Sequence, residues 1–168
     1  MDPGLFRAVM GRFATGVTVI TFVADGKPAG MTANAFMSVS VLPPLVMTSV
    51  RNESRVNQFL HRGLRFGINV LAETQLNLCA HFAGKPNPGL NVPFVMQEDL
   101  PLLSGSLAHL GVRVVDVYPA GDHHLYISAV EYVRLGEQRK PLVFFSGGFR
   151  QVQAHTPVIN WASAADCC

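Results

Sequence analysis

Charge is scarce in this chain: Lys, Arg, Asp and Glu together make up 14% of its 168 residues, while 49% are hydrophobic. A surface so poor in charge, around a chain long enough for one core, implies that part of it meets another subunit. The 13 basic residues form no run dense enough to follow a phosphate backbone, which argues against nucleic acid as a partner. Long apolar runs are missing too. The longest, residues 37–50, is broken by Ser38, Ser40, Pro43, Pro44, Thr48 and Ser49 and falls short of a bilayer span. No basic segment followed by an apolar one opens the chain, so neither membrane insertion nor export is expected and the location reads as cytoplasmic. Cysteine is limited to Cys79, Cys167 and Cys168, and the last two are adjacent at the end of the chain. That leaves no disulfide framework and no metal-ligand spacing, and Cys79, among apolar residues, reads as core.

The strong generic motifs are also absent. No glycine-rich dinucleotide fingerprint, Walker sequence, nucleophile elbow or HExxH helix occurs. Ser104, Ser106 and Ser146 lie near glycines, but none has the strand–turn–helix setting that would present a nucleophilic hydroxyl.

What is present is a regular alternation of short elements. Asp2-Pro3 suits an N-cap and first helical position, predicting a helix to about Thr15 with Leu5, Val9 and Phe13 on one docking face and Gly16 closing it. β-branched residues over 17–22 followed by Asp25-Gly26 predict a hairpin. Pro43-Pro44 separates an expected strand over 29–41 from one over 45–50. Helices are expected over 53–62 and over 73–82, the second with Leu76, Cys79, Ala80 and Ala83 inward, around a strand at 66–71. Residues 84–97, with three prolines and two glycines, read as a long functional loop. Strands over 104–117, 123–134 and 142–145 complete about six strands and three helices, an α+β domain whose sheet is best protected as a closed or nearly closed barrel. One domain over 1–150 and a tail over 151–168 are expected.

Three weak constellations could carry chemistry. Residues 31–36 place small and hydrogen-bonding side chains where a flat ring could lie against a strand, and an irregular strand edge reads equally well. Residues 48–54 run from a strand end into a helix start, where hydroxyls, backbone N–H groups and Arg51 would cradle a phosphate, although simple capping by Asn52 or Ser54 has the same signature. His123 and His124 begin a strand and point to opposite faces, a poor metal site, so His123 is either a structural hydrogen-bonder or a lone functional group.

Five segments taken in order then carry a resemblance: residues 6–21 (FRAVMGRFATGVTVIT), 30–38 (GMTANAFMS), Pro43-Pro44-Leu45-Val46, 66–83 (FGINVLAETQLNLCAHFA) and Gly121-Asp122-His123. Over about residues 4–150 the chain resembles the flavin reductase family, small reductase components of two-component flavin-dependent monooxygenases. The resemblance implies a six-stranded antiparallel split β-barrel of the FMN-binding type with flanking helices, homodimeric, with two flavin sites at the subunit interface. It implies FMN or FAD as cofactor, NADH or NADPH as hydride donor, and a separate oxygenase that consumes the reduced flavin. By the family pattern Thr32, Ala33 and Asn34 lie along the isoalloxazine, with Ala35 in place of the usual serine. Thr48, Ser49, Val50, Ser54 and Arg55 fall on the phosphate and ribityl turn, and Phe82, Ala83, Gly84 and Lys85 on the segment that closes over the phosphates. Asp122 and His123 match the family's Gly-Asp-His, whose His lies near the nicotinamide. Arg150 stands near the place of a basic pair that this chain lacks. A non-catalytic flavin or haem carrier and a pyridoxamine-phosphate-oxidase-like enzyme use related barrels and remain as alternatives.

Overall fold

The computed structural model describes residues 1–152; residues 153–168, which hold most of the expected tail together with Cys167 and Cys168, lie outside them. Helix α1 (Pro3–Met10) starts where the sequence places it, with Asp2 Oδ1 accepting from Gly4 N at 2.9 Å and Oδ2 from Leu5 N at 3.2 Å. It stops sooner than expected. Gly11 ends it, because Thr15 and Gly16 are recruited as strand β1 (Thr15–Gly16) opposite Phe144 and Val143, and the Gly11 carbonyl accepts from Ser146 N at 2.7 Å. No residue of α1 is buried, so the docking face foreseen for Leu5, Val9 and Phe13 stays exposed among the described residues.

Strands β2 (Thr18–Ala24) and β3 (Lys27–Ala33) form the expected hairpin, with Asp25 and Gly26 both at positive φ (50° and 75°), the geometry that matches strand twist. The strand expected over 29–41 is instead two, β3 and β4 (Phe36–Val41), broken at Asn34-Ala35 where the chain crosses between sheet edges. Then come β5 (Pro44–Arg51), β6 (Arg65–Val70), helix α2 (Leu76–Phe82), β7 (Phe94–Gln97), β8 (Leu100–Leu103), β9 (Ala108–Ala120), β10 (His123–Leu135), β11 (Leu142–Phe145) and β12 (Gly148–Gln151). The helix expected over 53–62 shrinks to a 3-10 turn, Arg55–Gln58, and α2 buries Leu78 and Cys79 while Leu76 is exposed. The long loop ends at β7, and the strand expected over 104–117 begins later, as β9, because residues 104–107 turn the chain out of β8, a strand the sequence reading did not expect.

Seven strands form one antiparallel sheet in the order β3-β2-β6-β9-β10-β5-β4. Ile20 of β2 and Val50 of β5, near opposite ends of that order, share one apolar cluster with Phe66, Ile68, Val112, Val114 and Tyr126. Such a shared core requires the sheet to curl, bringing β3 and β5 near each other without hydrogen-bonding them. The architecture is therefore mostly antiparallel β with few helices, and it has more strands than the six expected.

The hairpin β7–β8 covers the convex side, where Gly67 and Gly111 face each other and leave room for Leu102 and Leu100. A Cβ at Gly67 would stand 2.6 Å from Leu102 Cδ2, and one at Gly111 2.9 Å from Leu100 Cδ1. Polar clamps hold the hairpin down: the Thr21 hydroxyl donates to the Pro101 carbonyl, Leu103 N donates to Asn69 Oδ1 (2.7 Å), and His109 Nε2 bonds the Leu103 carbonyl (2.8 Å).

On the sheet surface Glu131 joins Arg113 Nε (2.6 Å) and Arg65 Nε (2.8 Å). The Arg113 hydrogen bond, seconded by Arg65, holds its carboxyl below the usual range although partial burial opposes this. A depressed folded pKa means that the stabilisation is present above the ordinary glutamate value of about 4.3 and is lost as pH falls through the lowered one. Glu131→Gln should therefore lower the melting temperature modestly at pH 7, solvent screening the pair, and the gap to the unaltered protein should close below about pH 4. A gap that stays constant from neutral to strongly acidic pH would refute the assignment.

Candidate functional site

Strand β3 is an outer strand of the sheet, so one row of its backbone N–H and C=O groups is left without a ladder partner. Past Ala33 the chain crosses at Asn34-Ala35 and returns so that the end of β5 and the turn after it run back along β3. Three ties mark the two walls. Ser49 N donates to the Ala35 carbonyl (2.9 Å), the Ser54 hydroxyl meets Met31 Sδ (3.1 Å), and the Phe59 ring packs on Phe22, which stands opposite Ala29. Between them lies a cavity of about 1030 Å³. Helix α2 closes the third side: the Thr32 hydroxyl donates to the Cys79 carbonyl at 2.7 Å, and Gly30, with no side chain, lets the Phe82 ring press on the strand. Burial pushes the Cys79 thiol up, the Thr32 hydrogen bond opposing, so Cys79 is a packed neutral group.

The turn after β5 is braced from within. Asn57 Nδ2 donates to the carbonyls of Arg51 (2.6 Å) and Asn52 (3.0 Å), and its Oδ1 accepts from the Tyr126 hydroxyl (2.9 Å). Asn52 N donates to the Asp122 carbonyl (2.9 Å) and Asn52 Nδ2 to that of Gly121 (3.2 Å), which sets the β9–β10 turn beside Arg51. His123, opposite Arg51 in the ladder, lines the cavity, with Nδ1 2.7 Å from Asp122 Oδ1. The His123 hydrogen bond in turn holds the Asp122 carboxyl below its usual range. The Asp122 contact fixes the orientation of the imidazole and leaves Nε2 as the ring nitrogen available to a ligand.

Of the residues singled out from sequence, Thr32, Ala33, Asn34, Ala35, Ser49, Val50, Ser54, Arg55, Phe82, Ala83, Gly84 and His123 line this cavity. Four others do not. Thr48 is buried on the strand face it shares with Val46 and Val50, Lys85 is exposed on the loop, and Asp122 reaches the cavity only through His123. Arg150 sits on β12 with Nη1 donated to the Phe149 carbonyl (2.9 Å). Residues 31–36 are thus an interrupted strand edge, and Ser54 caps only a single 3-10 turn without a side-chain hydrogen bond.

Sequence reasoning passed over Phe22, Gly30, Phe59 and His81, which also line the cavity. A glycine among bulkier residues of a strand was the available signal for Gly30. His81 had none, because its role depends on the loop: its Nδ1 accepts from Asn87 N at 3.0 Å, which tethers the residues after α2.

The arrangement offers a strand edge able to hydrogen-bond a planar ring, hydroxyls and two guanidinium groups (Arg51 and Arg55) along one wall, and an oriented imidazole at their junction. Among the described residues no cluster of three or more His, Cys, Asp or Glu could hold a metal ion, and no helix is long and apolar enough to cross a membrane.

The family described as flavin reductase like domain matches residues 10–153. An NADH-dependent flavin reductase from a Rhodococcus species is 40% identical over 156 residues, covering 91% of this chain and 88% of its own. The reductase component of 4-hydroxyphenylacetate 3-monooxygenase from Thermus thermophilus is 38% identical over 147 residues, 88% and 95% of the two chains. The solved structure of the flavin reductase PheA2 superposes with a TM-score of 0.86 at 40% identity, covering 92% of this chain and all of its own.

Proposed function

The chain belongs to the flavin reductase like domain family, and from that premise we propose that it passes a hydride from NADH to a flavin and supplies the reduced flavin to a separate monooxygenase component. The cavity between β3 and the turn after β5 carries this reading, and its residues fit a flavin. The free edge of β3 can hydrogen-bond the rim of a flat ring, while Ser49, Ser54, Arg51 and Arg55 suit a phosphate.

Once bound, the flavin and the nicotinamide supply the redox chemistry themselves, so the protein contributes placement. That explains why no acid–base dyad marks the sequence. Backbone N–H groups near Ala33 and Asn34 favour negative charge on the ring edge. Ala35 contributes no hydroxyl, and its carbonyl is engaged by Ser49. The Phe82-Ala83-Gly84 turn would close over the flavin phosphates, and Nε2 of His123, held by Asp122, would accept from the nicotinamide amide.

Mixing the full chain with NADH and FAD or FMN should bleach the nicotinamide absorbance well beyond the protein-free rate, and no acceleration would sink the proposal. His123→Ala should raise the NADH Michaelis constant about tenfold, the worth of one well-placed hydrogen bond, and leave flavin affinity within about twofold. An unchanged constant would remove His123 from the account.

The unmet apolar face of α1 and the exposed Met37, Val39, Val41 and Leu42 support a homodimer of split barrels in which each copy covers the other's patches. A monomeric mass by light scattering would contradict it.

A further inference from the structure

The wall of the cavity changes character along its length. Ser49 marks one end at Ala35, Ser54 the middle at Met31, and Phe59 the far end at Ala29. The extended part of this wall, Ala29 to Ala33, is roughly 13 Å long, and the crossing at Asn34-Ala35 carries it on to Ser49. The open cavity's volume of about 1030 Å³ stands just above the range of roughly 300–1,000 Å³ typical of small-ligand sites. The near end offers a hydrogen-bonding edge and the middle hydroxyls and guanidinium groups. The far end is apolar: Phe22, Ala24, Pro28, Ala29, Val56 and Phe59, with Asp25 at the rim.

Planar ring, anion, then second apolar ring is the order of groups along a flavin dinucleotide. We propose that the far end is an adenine shelf centred on Phe59, and that this chain binds FAD in preference to FMN. The inference rests on the flavin-reductase reading above.

Phe59 is built for the task. Its centroid lies 5.3 Å from that of the buried Phe22, tilted by 35°, and its backbone N–H is anchored on the Val56 carbonyl (2.9 Å), so the ring is held while it lines the cavity. Asp25, at the hairpin tip, supplies an acceptor suited to the exocyclic amine of adenine and would repel a further phosphate.

The test is equilibrium titration of the full chain with FAD and with FMN, followed by flavin fluorescence, for the unaltered protein and for F59A, F59L and F59W. The unaltered protein should bind FAD at least tenfold more tightly than FMN, within the roughly ten- to hundredfold that base–aromatic stacking supports. F59A and F59L should lose most of that ratio with FMN affinity changed less than twofold, and F59W should keep it. F59L retains apolar contact with Phe22, so its melting curve guards against simple misfolding. Equal affinity for FAD and FMN in the unaltered protein would overturn the shelf, as would parallel losses of both flavins in F59L. A rise confined to the NADH Michaelis constant would also overturn it, assigning the shelf to the other dinucleotide. Binding of neither flavin would remove the reductase reading itself, whereas FMN binding without an FAD advantage would remove the shelf alone.

Discussion

Replacing Asn69 with leucine should destabilise the protein by about 3–5 kcal/mol, lowering the melting temperature by roughly 10 °C or more. Asn69 is fully buried near the end of β6, and its amide serves three groups. Nδ2 donates to the Val19 carbonyl (2.9 Å) and to Thr21 Oγ1 (3.0 Å), while Oδ1 accepts from Leu103 N (2.7 Å). Leucine has nearly the same size, so the loss is one of partners and not of volume. The Val19 carbonyl and the Leu103 N–H would be stranded away from water, each at about 1–3 kcal/mol. Because one of them belongs to β8, the covering hairpin should loosen first, which amide hydrogen exchange of residues 100–103 would register. Denaturant unfolding gives the total, and a loss below about 1 kcal/mol would show that the network is dispensable.

Gly30→Val should be felt in both stability and ligand affinity. A Cβ there would lie 2.8 Å from the Ile20 carbonyl oxygen and 3.2 Å from two atoms of the Phe82 ring. The first neighbour is backbone of a paired strand and cannot yield, so the strain falls on α2, and overpacking of this kind costs about 1–3 kcal/mol. Displacing Phe82 shifts the 82–84 turn that walls the cavity, and flavin affinity should fall at least tenfold, about 1.4 kcal/mol. A variant with unchanged melting and unchanged flavin titration would show that the contact between β3 and α2 does not shape the site.

Elements whose causes are local could be read from the chain alone. The Asp2 cap, the Asp25-Gly26 turn, β11 and the alternation that sends His123 and His124 to opposite faces all depend on neighbours a few residues away. Misreadings arose where distant partners decide. Thr15 and Gly16 leave the helical pattern because Phe144 and Val143 recruit them. Residues 94–103 become a hairpin because two glycines on β6 and β9 leave room for leucines, and no local pattern announces a notch formed by strands more than forty residues apart. Asn69 looked like an ordinary strand residue for the same reason.

The site divides along similar lines. The near end, residues 32–35 and 49–55, was visible through hydroxyls and small residues and through the family resemblance. Phe59 was hidden because its apolar neighbours Val56 and Leu60 made the segment look like a helix with a core face. His81 was hidden because its partner is a backbone N–H on a loop whose path the sequence does not specify.

Asn57 gives the site a property that its list of contacts does not convey. By joining Arg51, Asn52 and Tyr126 it braces the phosphate-side wall with the protein's own atoms. A reductase that hands over its flavin at every cycle must receive the next one into the same mould, and a wall that holds its form between passengers spares each arrival the entropy of ordering a loop.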